Sequence, residues 1–352
     1  AASDVYKRQI LYICTKKSIQ KLMYKSIFRP LLFQIDAEDI HNKIVKSLQF
    51  YRHLTPVRKI VRSSCHTETA GWKWKNLTFK NRVGLSAGFD KAANCFDELS
   101  DLGFGFIEVG TVTPKEVKGN PCPRIFRLPK DQALISRTGF NNPGKAIFLQ
   151  NLKRKQSGKY ILGININTNH PDNTEQAMTD ILDLYHTFDR YADYYTINWG
   201  SIAPEILGPI LSTLLQDKQA YKKPVFLKLP ADLALEKVDD IISFAIQHHI
   251  DGFIACGPSQ DRSLFTHSTQ TEIKNIGAGG ISGLPVLQKS TRIVKYLSEH
   301  APKEMLIIGA GGIITPSDAQ AMLKAGAHLV QIYSAFIYEG PYIVKQIAKA
   351  CR

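Results

Sequence analysis

Asn165, Asn198, Ser201 and Lys228 each close or follow a short apolar run, and together they supply two amides, a hydroxyl and an ammonium group. A single Asn is usually a satisfied loop residue, but packing alone does not collect four such groups at successive run ends. The set holds no Asp, Glu and His cluster suited to a metal, so no metal site is expected. Upstream, Ser86-Ala87-Gly88-Phe89-Asp90-Lys91 puts small residues, which let a flat ligand approach the backbone, beside a cation. Alone, Lys91 reads more readily as a solvated surface side chain than as a ligand. Near the C-terminus, Gly309-Ala310-Gly311-Gly312 precedes the helix-opening Thr315-Pro316-Ser317-Asp318, and Tyr333-Ser334 closes another apolar run. Glycines there serve either tight turns or backbone N–H groups that cradle a phosphate. A flat heteroaromatic with a phosphate tail satisfies all three groups, which points to flavin mononucleotide (FMN). No GxxxxGK[ST] occurs, and no GxGxxG within a βαβ unit, so neither a nucleoside triphosphate nor a Rossmann nicotinamide site fits.

The elements that must position these groups are the apolar runs themselves. Eight recur: Val83–Ala87, Gly105–Gly110, Tyr160–Ile166, Tyr194–Asn198, Val225–Leu229, Gly252–Cys256, Met305–Gly309 and His328–Tyr333. Each is too short for a stable helix, lacks the alternation of a half-exposed strand, and is separated from the next by enough chain for a helix. Buried parallel strands fit. Eight of them predict a (β/α)8 TIM barrel, in which chemistry sits at the C-terminal strand ends.

The chain has 352 residues with 44% hydrophobic composition, enough to bury a large core without disulfides. Its six cysteines (Cys14, Cys65, Cys95, Cys122, Cys256 and Cys351) form no CxxC pair and no zinc spacing, and a reducing compartment is the simplest reading. Residues 1–62 hold thirteen Lys and Arg against four Asp and Glu, so nine of the fourteen excess positive charges lie in the first sixth of the chain. The rest is only mildly basic, and no nucleic-acid partner is expected. The first Met is Met23, and residues 1–22 read as upstream read-through, an expression scar or a targeting tail. No run approaches the ~18 apolar residues needed to span a bilayer.

Three segments follow: the tail 1–22, a helical segment with linker over 23–70, and the barrel over 71–352. Within 23–70, Tyr24–Gln34 and Ala37–Tyr51 predict two short helices, with Asp36 as N-cap of the second and Asp39 completing a weak capping box. Their apolar residues exceed what two helices hide between themselves. The surplus either docks on the barrel or forms a basic amphipathic hairpin on an anionic membrane. Residues 63–70 read as a polar linker. Trp72–Trp74 and Leu77–Phe79 bracket Lys75-Asn76 as a hairpin capping the barrel bottom. The segment TPKEVKGNPCPRIFRLP reads as a rigid extended loop. Residues 199–223 and 257–283 read as long excursions, which in a compact domain are usually lids.

Taken with these motifs, the chain resembles the quinone-linked (class 2) dihydroorotate dehydrogenase family over about residues 23–352. The segments that carry the resemblance are YKSIFRPLLFQIDAEDIH, LTFKNRVGLSAGFDK, LGFGFIEVGTVTP, PRIFRL, RTGFNN, LGINI, GGISG, IIGAGGI and AGAHLVQIYSAFIYEGP. The resemblance implies FMN held by Ala87, Gly88, Lys91, Thr111, Asn165, Asn198, Lys228, Cys256, Gly283, Gly312, Tyr333 and Ser334. It implies substrate contacts from Lys91, Ser136, Gly139, Phe140 and Asn198, with Ser201 as the base that takes the C5 proton of dihydroorotate. His41, Arg127 and Tyr333 would line the region where a membrane quinone is admitted. The implied location is peripheral: the cytoplasmic face of the inner membrane in a bacterium, or the mitochondrial inner membrane in a eukaryote.

The departures from the family pattern cluster on the substrate side. Ser136, Ala203 and Gly257-Pro258 stand where the family has Asn, Asn and Asn-Thr; Pro204 replaces a threonine near the base, and Asn167-Thr168-Asn169 replaces Gly-Lys-Asn. A lost hydrogen bond to a charged ligand costs about 1.5–3 kcal/mol, so three losses weaken orotate strongly. Three readings follow: a divergent quinone-linked dihydroorotate dehydrogenase of pyrimidine biosynthesis, an FMN barrel oxidoreductase for another small molecule, and a catalytically silent flavin-binding membrane protein.

Overall fold

The computed structural model describes residues 23–67, 69, 71–155, 160–221 and 223–352. The tail 1–22 lies outside the described residues. A π-helical turn, Tyr24–Phe28, runs into α1 (Arg29–Phe33), followed by α2 (Ala37–Tyr51) and α3 (Thr55–Cys65). Asp36 caps α2 as expected, its carboxylate accepting from the backbone N–H of Glu38 and Asp39. The expected linker is shorter than its composition indicates, because α3 continues through Cys65. Pro56 in its first turn is compatible with a helix start, and its arginines pair with the barrel.

The strands are β1 (Trp72–Trp74), β2 (Leu77–Phe79), β3 (Val83–Leu85), β4 (Phe106–Val112), β5 (Ile125–Leu128), β6 (Ala133–Ser136), β7 (Ile161–Ile166), β8 (Tyr194–Asn198), β9 (Val225–Leu229), β10 (Gly252–Ala255), β11 (Gly280–Gly283), β12 (Leu306–Ala310) and β13 (Leu329–Ile332). Eight of them close a parallel barrel in the order β3-β4-β7-β8-β9-β10-β12-β13. These are the eight apolar runs, each within a few residues of its predicted bounds. β1 and β2 form the expected hairpin, with Trp74 opposite Leu77.

The barrel interior is graded from apolar to polar. At the bottom, Phe79 of the hairpin packs edge-on against Phe106, and Tyr194, Phe226 and Leu306 complete a dry layer. Gly163 makes room for it: a Cβ there would lie 2.1 Å from the Tyr194 ring. Each large side chain buried in this way contributes about 1.5–3 kcal/mol. Toward the C-terminal strand ends the inward residues become Glu108, Gln331, Lys228, Asn165 and Asn198.

Two expected loops are structured instead. Residues 199–223 are mostly the helix Pro204–Tyr221, so this excursion is a regular barrel helix rather than a lid. Residues 257–283 contain a helix, Gln270–Ile276, and β11. β11 pairs antiparallel with β6, and β6 with β5, giving a three-stranded sheet above the barrel. PRIFRL, read as part of an extended loop, supplies β5. Asp131 ties this sheet to the segment after β10 by accepting from the backbone N–H of Thr266, His267 and Ser268. Among the described residues no helix is long and apolar enough to cross a membrane.

Candidate active site

The C-terminal strand ends enclose a cavity of about 370 Å³. All twelve residues expected around FMN line it: Ala87, Gly88 and Lys91 after β3; Thr111 in β4; Asn165, Asn198 and Lys228 in β7, β8 and β9; Cys256 after β10; Gly283 in β11; Gly312 after β12; and Tyr333 and Ser334 after β13. Of the substrate-side expectations, Ser136 and Phe140 line it too, while Gly139 flanks them outside the lining. Among the departures, Gly257 and Pro258 are on the wall. Ser201 is not. Its hydroxyl donates to the Asn198 carbonyl at 2.7 Å and lies 3.4 Å from Asn167 Oδ1.

One wall is an amide ladder. Asn165 and Asn198 exchange side-chain hydrogen bonds at 3.2 Å in both directions, and Asn198 Nδ2 lies 3.4 Å from Thr111 Oγ1. Lys228 Nζ donates to Ser86 Oγ at 2.9 Å and lies 3.3 Å from Glu108 Oε1. Gln331 donates to Glu108 Oε2 at 2.7 Å. Glu108 and Gln331 escaped the sequence reading because they lie inside apolar runs. The signal was there: a charged and an amide side chain in the middle of otherwise apolar, buried strands need internal partners.

At the opposite wall, Gly312 (φ +85°) leaves no room for a side chain, since a Cβ would lie 2.3 Å from Leu287 N. The chain therefore presents bare backbone there, beside Ser334. Thr315 and Asp318 form a full capping box opening the next helix. This donor-rich cradle, facing a wall of amides and a lysine, fits a planar ring bearing a phosphate. Among the described residues no group of His, Cys, Asp and Glu could hold a metal ion.

A second chamber of about 310 Å³ lies between α2 and the barrel mouth, and Gly88, Lys91, Ile125, Asn141 and Tyr333 line both spaces. His41 lines it, its ring edge-on to Phe89 at 4.9 Å. Burial, reinforced by the Lys91 charge, pulls the His41 imidazole down to about 4, so it is neutral at ordinary pH. Burial lowers Lys91 to about 8 against the opposing pull of Glu38, and its ammonium also hydrogen-bonds Asn141. Burial raises the Tyr333 hydroxyl to about 12. Arg127 is separated from these two residues. It stacks over Phe33 at 4.6 Å and donates to the carbonyls of Leu32 and Ile35, facing a different groove.

Fold and site together define an α/β-barrel enzyme with a polar-walled cavity at its C-terminal strand ends. The dihydroorotate dehydrogenase family model matches residues 70–351. The dihydroorotate dehydrogenase (quinone) of Christiangramia forsetii is 39% identical, with 92% of this chain and 97% of the relative covered. That of Proteus mirabilis is 38% identical, with 92% and 99% covered. The ligand-free dihydroorotate dehydrogenase of Eimeria tenella superposes with a TM-score of 0.74 at 30% identity, over 89% of this chain and 93% of that one. Its ferulenol complex gives 0.71 at 30% identity, over 84% and 89%. The chain belongs to the quinone-linked, class 2 dihydroorotate dehydrogenase family.

Proposed function

We propose that this enzyme binds FMN in the barrel cavity, oxidises dihydroorotate to orotate there, and passes the electrons to a membrane quinone. The observation that carries the reading is the convergence of all twelve expected cofactor residues on one cavity from eight separate barrel strands and the small sheet. Asn165, Asn198, Thr111 and Lys228 would hold the ring, and the backbone at Gly312 with Ser334 the phosphate. When bound, FMN supplies a two-electron acceptor for the substrate and a donor for the quinone. The chain's own residues do the rest. Lys91, charged below about pH 8 and braced by Asn141, attracts the substrate carboxylate. Asn198 orients the substrate ring. Ser201 would accept the C5 proton as its own hydroxyl proton leaves to solvent, with Asn167 Oδ1, 3.4 Å away, orienting that hydroxyl. Lys228 places positive charge where electron density accumulates during the reaction. The chamber lined by Tyr333 and His41 lies between α2 and the cavity, the position through which a quinone would approach from a membrane bound by the N-terminal helices.

A second reading rests on the wall itself: Ser136, Gly257 and Pro258 line the cavity where amides would grip orotate. It makes the protein an FMN oxidoreductase for a different small molecule. Anaerobic addition of dihydroorotate to purified protein separates the two. Rapid bleaching of the flavin supports dihydroorotate, whereas a yellow protein that stays oxidised and shows no spectral shift with orotate supports the second. A colourless protein that takes up no FMN on reconstitution overturns both.

A further inference from the structure

β4 turns a carboxylate into the centre of the barrel, directly beneath the cavity. Glu108 has no exposed surface, and four donors face it. Lys228 Nζ and Asn165 Nδ2 lie 3.3 and 3.5 Å from Oε1, and Gln331 Nε2 and Tyr194 OH lie 2.7 and 3.3 Å from Oε2. A carboxylate met only by donors is matched to its ionised form. The apolar layer below, with Phe106 and Phe226, keeps water from screening it on that side. Gln331 also lines the cavity, and its buried Oε1 has no hydrogen-bond partner among the described residues.

We infer that Glu108 is a positioning residue that holds the Lys228 ammonium at the cavity wall and, through its negative charge, sets the reduction potential of the bound cofactor. The inference rests on the FMN reading above. Lys228 has two acceptors, Ser86 Oγ and Glu108 Oε1, and only Glu108 offsets its charge. A negative charge buried below the cavity opposes the arrival of electrons above it. Removing that charge while keeping the side chain's size therefore favours the reduced cofactor. Glu108→Gln is compatible with the network: the new amide can still accept at one end, and Gln331 can turn its amide to offer Oε1 to the other.

The test is a reductive titration of the FMN-loaded protein against a reference dye. Glu108→Gln should shift the equilibrium toward reduced flavin at least tenfold, a rise of about 30 mV for a two-electron couple. Glu108→Asp keeps the charge and should stay within about threefold of wild type, roughly 15 mV on the same conversion. Normal FMN content with an unmoved or lowered potential in Glu108→Gln overturns the inference alone; a wild-type protein that takes up no FMN overturns it together with the proposed function. If Glu108→Gln yields no folded holoprotein, redox-difference infrared spectra of wild type and Glu108→Asp decide. A carboxylate band that responds to reduction and moves on substitution supports the inference, and its absence overturns it.

Discussion

Residues at the substrate end give the sharpest tests. Ser201 follows β8 and lies 3.4 Å from Asn167 Oδ1, beside rather than on the cavity wall, so the proposed base is tested directly. Ser201→Ala should slow flavin reduction by dihydroorotate by about 10²–10⁴-fold with FMN content unchanged; full activity in that variant puts the base elsewhere. Lys91 yields a pH dependence. Its lowered value of about 8 means that the ammonium persists below that pH and is lost above it. For an anionic substrate, kcat/KM should therefore fall by about tenfold per pH unit on the alkaline side of 8, and a flat profile there removes Lys91 from substrate binding. The missing amides can be restored. A Cβ at Gly257 meets only Leu229 O, at 3.6 Å, an ordinary contact, and Ala203 is exposed, so Ala203→Asn with Gly257→Asn is the pair to try. This pair should tighten orotate binding by about tenfold or more, read by flavin difference titration, and no gain means that the wall has been rebuilt around another ligand.

At the scale of elements, four basic side chains of the described N-terminal segment pair with acids of the rest of the chain. Lys25 pairs with Glu339, Arg52 with Glu98, Arg58 with Asp97 and Asp101, and Arg62 with Asp101, while Arg29 donates to the Tyr338 carbonyl. Asp97 and Asp101 are buried, so α3 is fastened to the barrel by arginines reaching acids with little access to water. Breaking such a pair strands a buried charge. Arg58→Ala should lower stability by about 3 kcal/mol, measured by urea unfolding of the holoprotein, and a loss near zero would mean that Arg62 alone satisfies Asp101. The barrel strands were legible because a strand buried on both faces must be apolar throughout, and the runs show it. The β5-β6-β11 sheet was not. Its strands are short, and β11 reaches the adjacent β5 and β6 from far along the chain, a pairing decided by tertiary closure rather than by local pattern. The helix Pro204–Tyr221, where a long excursion was expected, carries Gly208-Pro209 inside it, and burial of Leu207, Ile210, Leu211 and Leu214 outweighs that local cost.

On the scale of the molecule, the described N-terminal segment leaves a specific face for a membrane. Ile27, Leu31 and Phe50 are 50%, 57% and 68% exposed, and Lys43, Lys46 and Lys59 are exposed on the same N-terminal segment. Apolar side chains left in water beside lysines suit an anionic bilayer surface. Replacing Ile27, Leu31 and Phe50 with Ser should weaken binding to anionic phospholipid vesicles by about tenfold per side chain. Flavin reduction by substrate should be unaffected; equal vesicle binding by the variant would show that this face does not dock.

The sequence by itself determined the barrel, the strand ends and the set of polar groups gathered there. Apolar run length and spacing are local properties, and a parallel barrel places its inward C-terminal ends together whatever the helices do. Only the tertiary structure decided which of those groups touch. Glu108 and Gln331 are visible as polar residues in otherwise apolar runs, but their roles follow from partners on other strands, 120 and 223 residues away along the chain. Arg127 and His41, paired by resemblance, face different spaces because β5 turns one toward α1 and α2 carries the other over the barrel mouth. The basic N-terminus was equally undetermined from one dimension, since a charge faces a membrane or a buried acid according to what folding brings opposite it.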